Sequence, residues 1–154
     1  KIVENNGVLI AGCGSSRASN VLHYGYKQPK PTVQEDLNTY MTQKFIPAMR
    51  KSFVDAGIDM KEDGDVAQID GGFLISVKGQ VFSVSEDYSW DTDVRNVYVM
   101  GSGGDVALGA LAALGVEKVK TINQAETMVR KAIAIAIQYD NMCSEPIHIF
   151  KQFK

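Results

Sequence analysis

The chain has 154 residues, a length that suits a single hydrophobic core. It is 45% hydrophobic and 22% charged, which excludes disordered, collagenous and low-complexity classes. Sixteen Lys+Arg against eighteen Asp+Glu give a net charge of -2, so no overall basic footprint exists for nucleic acid or an anionic membrane. The longest uncharged, mostly apolar run, residues 106–116, is far shorter than the ~20 residues a membrane-spanning helix needs. Two cysteines, Cys13 and Cys143, are too few for a disulfide framework and read as reduced thiols of a cytoplasmic protein. The chain opens on Lys1 rather than Met, directly against strand-like sequence, which reads as a fragment, a processed chain or a truncated one.

Lys1-Ile2-Val3-Glu4 predicts a short strand, and Asn5-Asn6-Gly7 a turn, because Asn and Gly accept positive φ cheaply. Val8-Leu9-Ile10-Ala11 predicts a strand buried on both faces. Gly12-Cys13-Gly14-Ser15-Ser16 then forms a turn of small residues, followed by a helix over residues 17–26 capped by Ser15 or Ser16. Pro29 and Pro31 break the chain. Thr32 and Glu35 have capping-box spacing and predict the start of a helix. Leu37, Tyr40, Met41, Phe45, Met49 and Phe53 recur on one face of it; Pro47 should kink or divide it and Gly57 end it. Residues 59–72 read as an acidic surface loop.

Phe73-Leu74-Ile75-Ser76-Val77 and Gln80-Val81-Phe82-Ser83-Val84 flank Lys78-Gly79 and predict a hairpin. Residues 88–95 are polar and turn-rich. Val97-Tyr98-Val99-Met100 predicts a strand, ended by Gly101-Ser102-Gly103-Gly104, with a helix opening near Asp105 and stopping at Gly115. Thr121 and Gln124 have capping-box spacing before a second helix, whose end is apolar all round through Ile135 and Ile137 and so should be sandwiched. Pro146-Ile147-His148-Ile149-Phe150 predicts a last strand. Strands in runs and helices in pairs indicate an α+β protein of helix, sheet, sheet and helix layers rather than a doubly wound sheet.

Candidate chemistry is sparse. Gly12-Cys13-Gly14 and Gly101-Ser102-Gly103 each follow a strand and precede a helix, but Arg17 and Val106 stand where a dinucleotide fingerprint needs a third small residue. What survives is a packing turn, or backbone amides able to hold an anion or oxyanion. Asp63-Gly64-Asp65 and Asp91-Thr92-Asp93 lack calcium-loop spacing and read as solvated turns. His23 and His148 have no zinc-ligand neighbours at motif spacing, so no metal and no cofactor are expected. Cys13, without a nearby His, reads as an inert turn residue. Asp140 ends the last helix, where the macrodipole disfavours an acid; it is either an exposed helix-end carboxylate or a residue kept for another purpose.

Taken together these segments resemble the proteasome β-subunit and HslV-like peptidase family. The likeness is strongest at Val97-Tyr98-Val99-Met100-Gly101-Ser102-Gly103-Gly104-Asp105-Val106-Ala107. The hairpin at 73–84, the long helix over 124–139, Asp140 followed by Cys143, and Lys1-Ile2-Val3-Glu4 with Leu9-Ile10-Ala11-Gly12 are also similar. It covers most of the chain, with residues 27–72 the most divergent. The resemblance implies a single domain over 1–154 with a four-layer αββα N-terminal-nucleophile hydrolase fold, its first strands lying upstream. It implies a threonine-type peptidase assembled in homo-oligomeric rings, acting on polypeptides and fed by an ATP-driven unfoldase. The nucleophile, a Thr whose α-amino group serves as base, would precede Lys1, and the chain as given would be inactive.

By the same resemblance Lys1 lowers the nucleophile's proton affinity, Ser102 bonds the terminal amine and Asp140 fixes that network. Cys143 stands in for a hydroxyl, Gly14 or Ser15 offers the oxyanion amide after Gly12, and Gly101 and Gly103 frame the serine. A non-catalytic ring subunit of the same fold is the second reading, and a small-molecule amidohydrolase the third.

Overall fold

A computed structural model describes residues 1–59 and 66–153. The Asp63-Gly64-Asp65 turn lies outside the described residues. The chain divides into two compact units, Lys1–Thr92 with Gln152–Lys154, and Asp93–Lys151.

The first unit is built on a five-stranded antiparallel meander, β1 (Ile2–Asn5), β2 (Val8–Gly14), β3 (Gly71–Val77), β4 (Gln80–Val84) and β5 (Trp90–Asp91), paired in chain order. Both predicted hairpin turns form. Asn6 and Gly7 take φ of 51° and 81°, and Lys78 and Gly79 take 49° and 76°. Such paired positive values match the natural twist of the strands they join. β2 runs further than its apolar core suggested, because Gly12, Cys13 and Gly14 remain in register opposite Phe73, Gly72 and Gly71. It is buried on one face only: Val8 and Ile10 are buried, whereas Leu9 and Ala11 are half-buried, as strand alternation requires. β5 was not expected. Trp90 pairs with Val84, stacks edge-on against Phe82 at 5.2 Å and donates its indole N–H to Thr42.

Ser15 caps α1 (Ser16–Asn20) through its hydroxyl, which accepts from the Ala18 amide at 3.3 Å, and a π turn over Val21–Gly25 continues it. The second helical run begins later than the Thr32–Glu35 spacing suggested. The Glu35 carboxylate does accept from the Thr32 amide at 2.9 Å, but only a turn results. Asp36 is the cap, its carboxylate accepting from the Thr39 amide at 2.8 Å. A charged acceptor suits the positive helix end better than a hydroxyl does. The run comprises α2 (Leu37–Tyr40), a π turn over Met41–Phe45, and α3 (Ile46–Asp55). Pro47 falls in the first turn of α3, directly after the π turn that divides the run, where its missing amide is least costly. Gly57, at φ 65°, closes the helix as expected, with its amide on Val54 and the Ile58 amide on Phe53.

Tyr40, Met41, Phe45, Met49 and Phe53 from this run are buried together with Ile10, Phe73, Ile75 and Phe82 from the sheet. Each large side chain so removed from water stabilises the unit by about 1.5–3 kcal/mol before entropy is counted. Gln152 ties the sheet's two hairpin ends. Its side-chain amide donates to the carbonyls of Gly7 and Ser76 at 2.7 and 3.0 Å, and accepts from the Ser76 hydroxyl and Gly79 amide at 2.7 and 2.9 Å.

The second unit is a helix pair, α4 (Gly104–Ala113) and α5 (Ile122–Tyr139), joined through Gly115 at φ 77° and a 3₁₀ turn over Val116–Lys118. Both halves of the Thr121–Gln124 capping box are made. Ala107 and Leu111 bury against Ala132 and Ala136, with Val97 and Val99 packed on the cluster. The two strands expected at 97–100 and 146–150 are corrected: among the described residues neither joins a ladder. Ile147 and Ile149 are nonetheless half-buried between exposed neighbours, the two-residue alternation of an extended chain. That alternation reports side-chain placement, whereas a strand also requires a hydrogen-bonded neighbour, which sequence pattern does not supply.

Candidate active site

Two groups of residues singled out by sequence are placed, one in each unit. In the second unit, Gly101 takes φ 80° and its carbonyl accepts from the Gly104 amide at 3.0 Å, turning the chain sharply into α4. This exposes Ser102 and buries Gly103 and Gly104. At the end of α5, Asp140 leaves helical geometry with φ -122° and ψ 115°, though its amide still reaches Ala136 at 2.8 Å. Its carboxylate accepts from the Met142 amide at 2.9 Å and the Cys143 thiol at 3.5 Å. The Ser102 hydroxyl is the largest influence holding the Asp140 carboxyl below its ordinary range, followed by the Met142 amide, with the thiol contributing less. Ser102, Asp140 and Cys143 are thus brought together.

Gly103 makes that meeting possible. An ideal Cβ there would lie 2.6 Å from the Cys143 Sγ, 3.1 Å from Asp140 Oδ2 and 3.3 Å from the Ala136 Cβ. Any side chain would push the Gly101-Ser102-Gly103-Gly104 turn off the end of α5. A hydroxyl whose proton goes to a carboxylate keeps its oxygen lone pairs to accept from another donor. The arrangement places an exposed hydroxyl near a carboxylate.

In the first unit, Lys1 is exposed and its carbonyl accepts from the Gly12 amide at 3.4 Å. Gly12 could not carry a side chain without displacing neighbours, since a Cβ would lie 2.8 Å from the Ser19 hydroxyl and 2.9 Å from the Phe73 ring. The Ser15 amide donates to the Asp70 carbonyl at 2.9 Å, and its hydroxyl is spent on the α1 cap. Strand alternation turns the Gly14 amide to the side on which Gly12 meets Lys1, beyond the Ile2–Ala11 end of the β1 register. Gly14, at φ 84°, lies against Gly71 so closely that a Cβ would fall 2.6 Å from its Cα.

The remaining candidates play other parts. The Asp93 carboxylate accepts from the Arg95 amide and guanidinium at 2.7 and 2.8 Å, which holds its pKa down. Among the described residues no three His, Cys, Asp or Glu side chains converge as metal ligands. Burial lowers the His23 pKa, and its Nε2 is enclosed without a partner among the described residues. Cys13 is a half-buried free thiol in β2.

The whole arrangement has close structural parallels. BPH of Thiobacillus denitrificans matches with a TM-score of 0.66 in a structure with epoxomicin and 0.65 without it, at 17% identity, over 95% of this chain and 75% of that one. Eukaryotic HslV from Trypanosoma brucei matches with a TM-score of 0.56 and 21% identity, over 94% of this chain and 76% of that one. The chain has an HslV-like, proteasome β-subunit fold. No family model matches the sequence, and no curated protein matches it by sequence. The α+β sandwich class expected for this HslV-like chain is the class of these neighbours. Sequence reasoning missed the role of Gly103 beside Cys143, because nothing local to Gly103 announces a contact 40 residues away.

Proposed function

We propose that this HslV-like chain belongs to a peptidase that cleaves peptide bonds with an N-terminal nucleophile. The observation that carries the reading is the meeting of the Gly101–Gly104 turn with the end of α5, where a Cβ on Gly103 would touch both Cys143 and Asp140 and the Ser102 hydroxyl holds the Asp140 pKa down. In this reading Ser102 accepts a hydrogen bond from the nucleophile's amine and relays its proton, while Asp140 holds Ser102 and offsets the passing positive charge. Lys1 favours the deprotonated nucleophile electrostatically, and the Gly14 amide stabilises the oxyanion of the tetrahedral intermediate. Gly14 suits that role better than Ser15, whose amide is committed to Asp70.

We read the chain as one domain, since a single BPH chain matches 95% of it, more than either unit spans alone. We further propose a homo-oligomeric ring, polypeptide substrates delivered by an ATP-driven unfoldase, and a cytoplasmic setting. Exposed Ile122, Tyr139 and Met142 on and just beyond α5 support assembly. The free Cys13 and Cys143 suit a reducing compartment. Among the described residues no helix is long and apolar enough to cross a membrane.

A second reading, a non-catalytic subunit of the same fold, is favoured by Cys143, since a thiol supports Asp140 less strongly than a hydroxyl would. The protein purified from its native source separates the two. Hydrolysis of fluorogenic peptides, blocked by epoxomicin and lowered about 10²-fold or more by Ser102→Ala, supports the peptidase. Neither hydrolysis nor an epoxomicin adduct by intact mass supports the silent subunit.

A further inference from the structure

We propose that the groove between the end of α4 and the first half of α5 docks an acidic peptide segment of a partner protein. The groove encloses about 510 Å³ and lies wholly within the second unit. Leu114, Val119 and Met128 give it apolar walls, and Lys118 and Lys131 flank it. No carboxylate lines it.

Its polar chemistry is one-sided. Lys131 has no ion-pair partner among the described residues, and Lys118 reaches only the exposed Glu117, at 4.0 Å. The Gln124 side-chain oxygen is already taken by the Lys120 and Thr121 amides at 2.9 and 3.2 Å, so its NH₂ is the group left to bond outward. The Thr127 hydroxyl donates to the Asn123 carbonyl and is likewise committed. What remains toward the groove is the two ammonium groups, the Gln124 NH₂ and the Asn123 side-chain amide around an apolar floor. Leu114, the residue that caps α4, is 38% exposed. Gly115 shapes the corner: its φ of 77° turns the chain, and Lys118 Cδ and the Glu117 carboxylate each lie 3.6 Å from where a Cβ would be.

Charge complementarity selects the occupant. A basic or neutral segment would leave the Lys131 ammonium unanswered among the described residues and Lys118 with only the exposed Glu117. An acidic segment with an apolar residue between its carboxylates answers both ammoniums and fills the floor. Both lysine heads are solvated, so attraction should fall with salt, whereas the apolar anchor should not. The inference is independent of the peptidase reading, because none of these residues belongs to the Ser102–Asp140 network.

The test uses the purified native protein and fluorescein-labelled Glu-Leu-Glu-Asp-Leu-Glu, with the Gln-for-acid counterpart as control, read by fluorescence anisotropy. Selective binding of the acidic peptide is expected. It should weaken about tenfold in the Lys118→Gln/Lys131→Gln double variant and fall with added salt, and Met128→Ser should weaken it independently. Unchanged thermal melts keep a folding defect from mimicking the result. Equal binding of acidic and neutral peptides, or no effect of the lysine changes, overturns the proposal. A fall in assembly mass in the lysine variant, with no peptide binding by the parent, also overturns it and assigns the groove to a second copy of this chain.

Discussion

A Cβ on Gly103 would stand 2.6 Å from the Cys143 Sγ, closer than two such atoms approach without displacement. The turn before α4 and the segment after α5 are therefore fitted through the absence of one side chain. Gly103→Ala should destabilise the protein by about 1–3 kcal/mol, the usual cost of overpacking. Cys143→Ala should recover part of that loss in the double variant, because the nearest clash is with sulfur. Chemical denaturation of the two singles and the double measures the coupling; strictly additive losses would show that the two residues do not meet.

Asp140 carries a second test. Its carboxyl is held below the ordinary range, first by Ser102. A carboxylate depressed in the folded state stabilises the fold above its unfolded pKa, near 4, and loses that contribution as pH falls through the folded value. An NMR titration of the Asp140 side-chain carbon should give a midpoint below the usual carboxylate range. Ser102→Ala should move that midpoint upward, and Cys143→Ala should move it less. An unmoved midpoint in Ser102→Ala would separate the two residues.

Gly14 and Gly7 offer a controlled pair. They share nearly the same φ, 84° and 81°, yet a Cβ on Gly7 meets nothing within 4 Å while one on Gly14 strikes Gly71. Gly7→Ala should cost only the backbone penalty, about 1 kcal/mol. Gly14→Ala should cost several times more, or prevent folding. Denaturation midpoints decide it, and equal losses would count against the close approach of β2 and β3.

Gln152 satisfies four polar groups with one side-chain amide. Gln152→Ala should lower stability by about 1–3 kcal/mol, less than four full bonds because water reaches part of the site. Faster amide exchange at Gly79 than in the parent would place the loss at that hairpin.

Legibility from sequence followed range. The Thr121–Gln124 cap was readable because both partners lie within one helical turn. The face carrying Tyr40, Met41, Phe45, Met49 and Phe53 was readable because a helix repeats every few residues. Thr32 and Glu35 misled because the same local contact closes a turn as well as a helix, and Asp36 offered a stronger cap. The segments at 97–100 and 146–150 carried strand-like residues without a pairing partner, which no local pattern encodes. At the candidate site, Ser102, Asp140 and Cys143 were named through resemblance rather than spacing, since a turn before one helix and the end of another share no period. Gly103 shows the limit most clearly, because its necessity lies in the sulfur of Cys143 and not in its own neighbours.

The π turn at Met41–Phe45 has a consequence for how this region tolerates change in length. Met41, Phe45, Met49 and Phe53 follow one another at steps of four, which in an unbroken α-helix drift steadily around the axis. The widened turn takes up an extra residue, with the Ile46 amide reaching back to Met41, and so rotates the later side chains back toward the sheet. The phase of the whole apolar face is thus set by a count of residues. Deleting one exposed residue of this turn, such as Gln43, would close it to a regular helix with Met49 and Phe53 still on the sheet side, whereas a deletion within α3 would swing the side chains beyond it by about 100°, so the irregular turn is the place where this helix tolerates a change in length.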